Sequence, residues 1–334
     1  MPDAGEAGAV VQPVMDASFD RVAAHKPEWK LVEKGRLRMV WQLEQPLADT
    51  TVRQRVILWN CIKRLDCQVD LQGFNGRLWR EFRMALPLAM EKPKLAYEVP
   101  MGVVEIGKDE LPTSGGLAYG GLNYFQQCRD IRPREVQDFV DASDEHGGLT
   151  MSSSVSVFDW VDPTTNAQTG TVLQPVLLAS RKSCNGQGVW YPQAGDHTFS
   201  FSLTTHEGGW RNGRKPGIAA NHPLQVVVNT QPAAGAFLPP FMSFASVSAN
   251  NVIISTIKKC EDDDSVILRA YDIDGKDSTA AVKLFQPAKS AAHTSLIEED
   301  GKPLMVKNGM AALSVGHHAI ETIKLKIEND RQTH

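Results

Sequence analysis

Apolar and polar residues alternate along much of the chain. Over Leu37–Glu44 the odd positions Leu37, Met39, Trp41 and Leu43 are apolar and the even ones mostly polar. The same period of two runs through Leu65–Gln72, Phe199–Thr204 and Ile323–Glu328. A period of two puts one face of a strand on a core and the other in water, as in antiparallel sheets. Further strands are predicted over 51–60, 78–88, 151–161, 171–180, 224–229, 252–258, 265–273 and 281–286. Helical periodicity is confined to Arg134–Val140, with Pro133 placed for its first turn. Asp274–Gly275 and Asp300–Gly301 read as turns, the former as a hairpin between apolar strands. With 26 Gly and 19 Pro, the pattern predicts an all-β protein of packed sheets.

Pro and small residues over Gln231–Pro240 cannot sustain a central strand and mark a boundary. The expected organisation is a poorly ordered or linker segment at 1–28, a large β unit over 29–235 and a small β-sandwich of immunoglobulin-like size over 236–334.

The 334 residues suffice for about two domains with unstapled cores. A net charge of −4 argues against a phosphate-tracking nucleic-acid surface. No apolar run is long enough for a membrane-spanning helix, and the first residues lack the basic-then-apolar order of a signal peptide. The five cysteines, Cys61, Cys67, Cys128, Cys184 and Cys260, form no Cys-x-x-Cys pair. They read as reduced, buried thiols, with Cys61 and Cys67 the one close pair, and this usage leans toward the cytoplasm.

Candidate chemistry is sparse. No Gly-x-Ser-x-Gly elbow is present, and Ser152–Ser154 reads as a solvent-facing strand edge. Cys128 or Cys184 would need an imidazole partner to act as a nucleophile. His317 and His318, adjacent on a strand, point to opposite faces, and His197 and His206 lack helical ligand spacing. Tyr271–Asp277 echoes a calcium loop without its full set of oxygen ligands. Asp141, Asp144 and Glu145 cluster beside Gly147 and read as a turn. The glycine-rich Ser114–Gly121 reads as a flexible loop, or as one that closes over a ligand through Tyr119 or Tyr124. Trp160, Trp190 and Trp210 stand in turn-rich surroundings, and loop indoles of this kind stack on sugar faces. Residues alone therefore predict an all-β protein of two units without a self-evident catalytic apparatus.

Extended blocks carry a further signal. Leu71–Arg83 (LQGFNGRLWREFR), Tyr97–Glu105 (YEVPMGVVE), Arg132–Val140 (RPREVQDFV), Ser143–Ser154 (SDEHGGLTMSSS), Leu177–Ser183 (LLASRKS) and Gly316–Ile323 (GHHAIETI) resemble the C-terminal β-domains of family 38 glycoside hydrolases, the α-mannosidases. The resemblance runs in order through about residues 30–328. It implies a large galactose-mutarotase-like β-supersandwich followed by a small β-sandwich. It also implies a retaining hydrolysis of terminal α-mannosyl residues in glycans. The nucleophilic Asp and a divalent metal, usually zinc, then belong to an N-terminal catalytic barrel for which the chain has no segment. On this reading the chain is a fragment or half of a split enzyme. It holds no catalytic residue, metal site or cofactor and is inactive alone. Its partners are that barrel and α-mannosyl glycans, and neither nucleic acid nor membrane. Arg181 is the best match for a basic residue that approaches the sugar, with Tyr119 and Trp190 as further rim residues. The alternatives are an Arg181 paired with an interdomain acid, a stand-alone carbohydrate-binding or structural module, and a mutarotase built on a converging His and Glu.

Overall fold

The computed structural model describes residues 20–90, 92–110, 134–160, 171–183, 188–228 and 239–327. Contacts divide the chain into two compact units, Met1–Val99 with Val104–Leu224, and Pro100–Val103 with Gln225–His334.

In the first unit the strands are β1 (Lys30–Lys34), β2 (Arg38–Leu47), β3 (Thr50–Trp59), β4 (Leu65–Phe74), β5 (Arg80–Arg83), β6 (Leu86–Pro87), β7 (Lys94–Val99) and β8 (Gly102–Glu105). They continue with β9 (Arg134–Glu135), β10 (Phe139–Ser143), β11 (Gly148–Ser153), β12 (Val157–Asp159), β13 (Val172–Lys182), β14 (Trp190–Tyr191) and β15 (Gly195–His206). One sheet runs β1-β2-β3-β4-β15-β11-β10-β7-β8, and a second runs β14-β13-β12-β9 with β5 and β6 added along β13. Alternation sets the register. Val52 of β3 lies opposite Leu71 of β4, and Cys67 of β4 opposite Phe201 of β15, so one apolar face is continuous across strands. That face packs on Phe82, Phe158, Leu173 and Leu178 of the second sheet to form the core. The expected helix at Arg134–Val140 is absent. Its residues supply β9 and the start of β10, because Val136 and Val140 are claimed by this core and Phe139 is buried on the opposite face of the sheet.

Among the described residues an α-helix forms instead over α1 (Trp210–Asn221), where two glycines and Pro216 give no helical signal. Pro216 removes one N–H from its ladder, so packing holds it. Gly213 and Gly217, one turn apart, let its backbone approach β10 and β11 closely. A Cβ at Gly213 would lie 1.8 Å from Thr150 Oγ1. Residues 224–228, expected as a strand, form none and are exposed.

The second unit holds β16 (Ala245–Val247), β17 (Val252–Lys259), β18 (Val266–Asp272), β19 (Ser278–Leu284), β20 (Ala288–Thr294), β21 (Asp300–Leu304), β22 (Val306–Lys307), β23 (Met310–Val315) and β24 (Ile320–Ile327). Sheets β17-β18-β24-β20-β21 and β16-β19-β23-β22 enclose Leu268, Ile323 and Leu325 from one side and Val282, Leu313 and Val315 from the other. Asp274–Gly275 is no hairpin, since β18 and β19 lie in different sheets and the chain crosses between them there. Asp300 and Gly301 open β21 instead of forming its turn.

Candidate functional site

The best-placed surface for ligand chemistry is the outer end of β13. Arg181 pairs across the strands with Tyr191, and Lys182 with Trp190. On its other side β13 pairs with β5, Ala179 opposite Glu81 and Ser180 opposite Arg80. Trp79, the residue before β5, donates its backbone N–H to Ser180 O. Facing residues of paired strands share a sheet face. Tyr191, Arg181 and Glu81 therefore lie on one face, and Trp190 with Lys182 on the other. Arg181 and Trp190 share a hairpin but do not converge. The Lys182 ammonium covers the Trp190 ring at 4.4 Å from its centroid. Tyr119 lies outside the described residues, as do Tyr124, Cys128 and Cys184.

Arg181 is 46% exposed, with a guanidinium nitrogen 3.8 Å from Glu81 Oε2. Glu81 is held in turn by Arg83 Nε. The Arg83 guanidinium reaches Asp159 Oδ2 at 3.2 Å and Gln174 Oε1 at 3.0 Å, and Arg83 and Asp159 are both buried. The charges thus alternate from a buried carboxylate outward to the exposed guanidinium. An Arg fork and a carboxylate side by side offer donors and acceptors to vicinal hydroxyls. Glu81 and Tyr191 escaped the sequence reading because only strand pairing places them beside Arg181. Trp79 had a local signal, an Asn75–Gly76 turn just upstream of a strand.

A second polar cluster lies on the other face of the nine-stranded sheet. Asp141, read from sequence as part of a turn, sits within β10 and is fully buried. It accepts hydrogen bonds from Ser143 Oγ at 2.5 Å and Thr150 Oγ1 at 2.6 Å, and His206 Nε2 lies 2.6 Å from Oδ2. Ser152 and Ser153 are buried too. Ser152 Oγ donates to Gly217 O, so the expected solvent-facing edge is a central strand under α1. Glu98 of β7 shares this face, hydrogen-bonded to Asp138, with its carboxyl pushed up to about 8 by burial and by the Asp138 charge. An imidazole and carboxylates do converge here, as a mutarotase would require. The backbone of α1 at Gly213 fills the space above them, and no room is left for a sugar.

The stretch Tyr271–Asp277 binds its own backbone. Burial opposes ionisation of Asp272, yet its carboxyl is held below the usual range by the N–H of His318, by Asn251 and by the N–H groups of Asp274 and Lys276. Donors occupy the oxygens a calcium ion would need. Among the described residues no group of three His, Cys, Asp or Glu is arranged to hold a metal. A zinc ion therefore does not fit the described residues. Cys61 is a free, exposed thiol, which departs from the expected burial, whereas Cys67 and Cys260 are free and buried. No helix of the described residues is long and apolar enough to cross a membrane.

Residues 251–323 match the profile of the glycosyl hydrolases family 38 C-terminal beta sandwich domain. That match lies within the second unit. The likeness extends through the first unit. An α-mannosidase from Enterococcus faecalis V583 superposes with a TM-score of 0.65 at 13% identity, over 90% of this chain and 35% of that one. A glycosyl hydrolase family 38 protein from Enterococcus faecalis gives 0.65 and 13%, over 90% and 36%. At such identity the superposition shows a shared fold. The chain spans about a third of the length of these structures. No protein of curated function matches it in sequence.

Proposed function

We propose that the chain is the C-terminal β portion of a retaining α-mannosidase acting on terminal α-mannosyl residues of glycans. In this reading it supports a separate catalytic domain, which supplies the metal and the nucleophile, and lends Arg181 to the rim of the cleft. The observation that carries it is the superposition of 90% of the chain on 35% of a solved α-mannosidase, together with the family 38 profile match at 251–323. A second feature supports it. Leu31, Trp41 and Val56 form one row across β1, β2 and β3, and Met39 and Leu58 a neighbouring row. These residues continue the apolar core face of the sheet outward, where Leu31, Trp41 and Leu58 are exposed. Exposed apolar faces of this kind mark docking surfaces.

The test is complementation. The chain is mixed with a family 38 catalytic domain and assayed on an aryl α-mannoside. Restored turnover is expected, with Arg181→Ala lowering kcat/KM about tenfold or more, the scale of a lost hydrogen bond to a charged group. Turnover by the chain alone, or none after mixing, overturns the reading.

A further inference from the structure

At the end of β13, Tyr191 lies opposite Arg181, and Trp79, the residue before β5, is tied by its backbone N–H to Ser180 O, next to Arg181. Trp79 is 47% exposed and Tyr191 50%. Trp59, Trp160, Trp190 and Trp210 each have a guanidinium or ammonium over the ring. Trp79 and Tyr191 have no such contact among the described residues. Trp79 is also strained, with φ +63°, a left-handed conformation that bulky residues rarely adopt. Such strain persists only where surrounding contacts impose it and clusters at ligand sites. Here the Trp79 N–H bond to Ser180 O and the β5–β13 pairing impose it. An exposed indole held at a conformational cost is not explained by packing. Beside it, Arg181 and Glu81 supply the polar pattern that hydroxyls require, and Glu81 is fixed from below by Arg83 and the buried Asp159.

Resting on the mannosidase reading and deepening it, we infer that Trp79 and Tyr191 form a saccharide-stacking subsite around Arg181. The subsite takes the pyranose rings of an oligosaccharide on aromatic faces while Arg181 and Glu81 bind their hydroxyls. It belongs to this chain alone and needs no catalytic domain. The full chain is titrated with α-1,2-mannobiose by calorimetry and by saturation-transfer NMR. Trp79→Gly is the informative variant, because glycine tolerates the left-handed backbone without strain. Its expected signature is a Tm that holds or rises together with an affinity lowered about tenfold or more. Tyr191→Ala is expected to weaken binding with Tm unchanged. No binding by the unaltered chain, unaltered affinity in either variant, or a fall in Tm for Trp79→Gly overturns the inference. The complementation assay keeps the two ideas apart. If mixing restores hydrolysis but mannobiose does not bind the chain, the subsite fails and the mannosidase reading stands. If mannobiose binds but mixing restores nothing, the mannosidase reading fails and the chain is a saccharide-binding module.

Discussion

A methyl group at Gly213 would lie 1.8 Å from Thr150 Oγ1, 2.6 Å from His206 Nε2 and 2.7 Å from Asp141 Oδ2. None of those three groups can retreat freely, since Asp141 is fully buried and both others are hydrogen-bonded to it. Alanine is the better helix former by about 1 kcal/mol in an open helix. Here overpacking wins, at about 1–3 kcal/mol, plus whatever the Asp141 hydrogen bonds lose. Gly213→Ala should therefore lower the urea midpoint of unfolding despite its helix propensity. An unchanged or raised midpoint would mean that α1 does not sit against Asp141. The same residues show what a one-dimensional reading loses. Ser152, Thr150 and Asp141 follow the polar half of the strand alternation, and polar alternates predict water. They are buried because α1 covers that face, and no local feature of β10 or β11 announces a helix some 60 residues downstream.

Strands were legible in proportion to how cleanly one face meets a core. β2, β4, β15 and β24 alternate and were placed within a few residues. Arg134–Val140 misleads because Val136, Phe139 and Val140 fall at helical spacing, yet all three are buried in the sheet. Helix α1 was invisible because its determinants are absences of side chain, at Gly213 and Gly217, which propensity counts as breakers. How α1 is held at its far end is testable. Asn221 Nδ2 donates to Asp138 Oδ1 at 3.2 Å, and His222 Nε2 lies 3.2 Å from Asp138 Oδ2. Beneath them, buried Glu98 faces Asp138 and Arg214. Its Oε2 has no hydrogen-bond partner among the described residues. Burial first, and the Asp138 charge second, raise the Glu98 carboxyl from 4.5 to about 8. The folded state therefore binds more protons than the unfolded one between those values. This contribution is fully present below about pH 4.5 and is lost as pH rises through about 8. At about 1.4 kcal/mol per unit the span is on the order of a few kcal/mol. Urea midpoints should fall from pH 5 to pH 8.5, and Glu98→Gln, neutral throughout, should flatten that slope. Equal slopes in the two proteins would remove Glu98 as its source.

At the scale of the whole molecule, each unit closes its own core, so neither core explains the apolar residues left outside. In the nine-stranded sheet the face that begins at Val52 and Cys67 should end where the second sheet ends, yet it continues through Val56 to Trp41 and Leu31. A strand edge in water is ordinarily blunted with charge and bulges. β1 does carry a bulge between Leu31 and Glu33 and charged Lys30 and Lys34, so its edge is guarded while its face is not. Guarding the edge but leaving the face apolar suits a surface that must avoid strand addition and still accept a packed partner. On the mannosidase reading that partner is the catalytic domain. Leu31→Glu and Trp41→Glu then place a charge in the interface, where an unpaired charge is costly. Both residues are exposed in the free chain, so its Tm should stay nearly constant. Each variant should weaken association with the catalytic domain about tenfold or more by calorimetry, and should reduce restored turnover at limiting chain but not at saturating chain. Wild-type affinity in both variants would place the contact elsewhere and leave the β1–β3 face without a role.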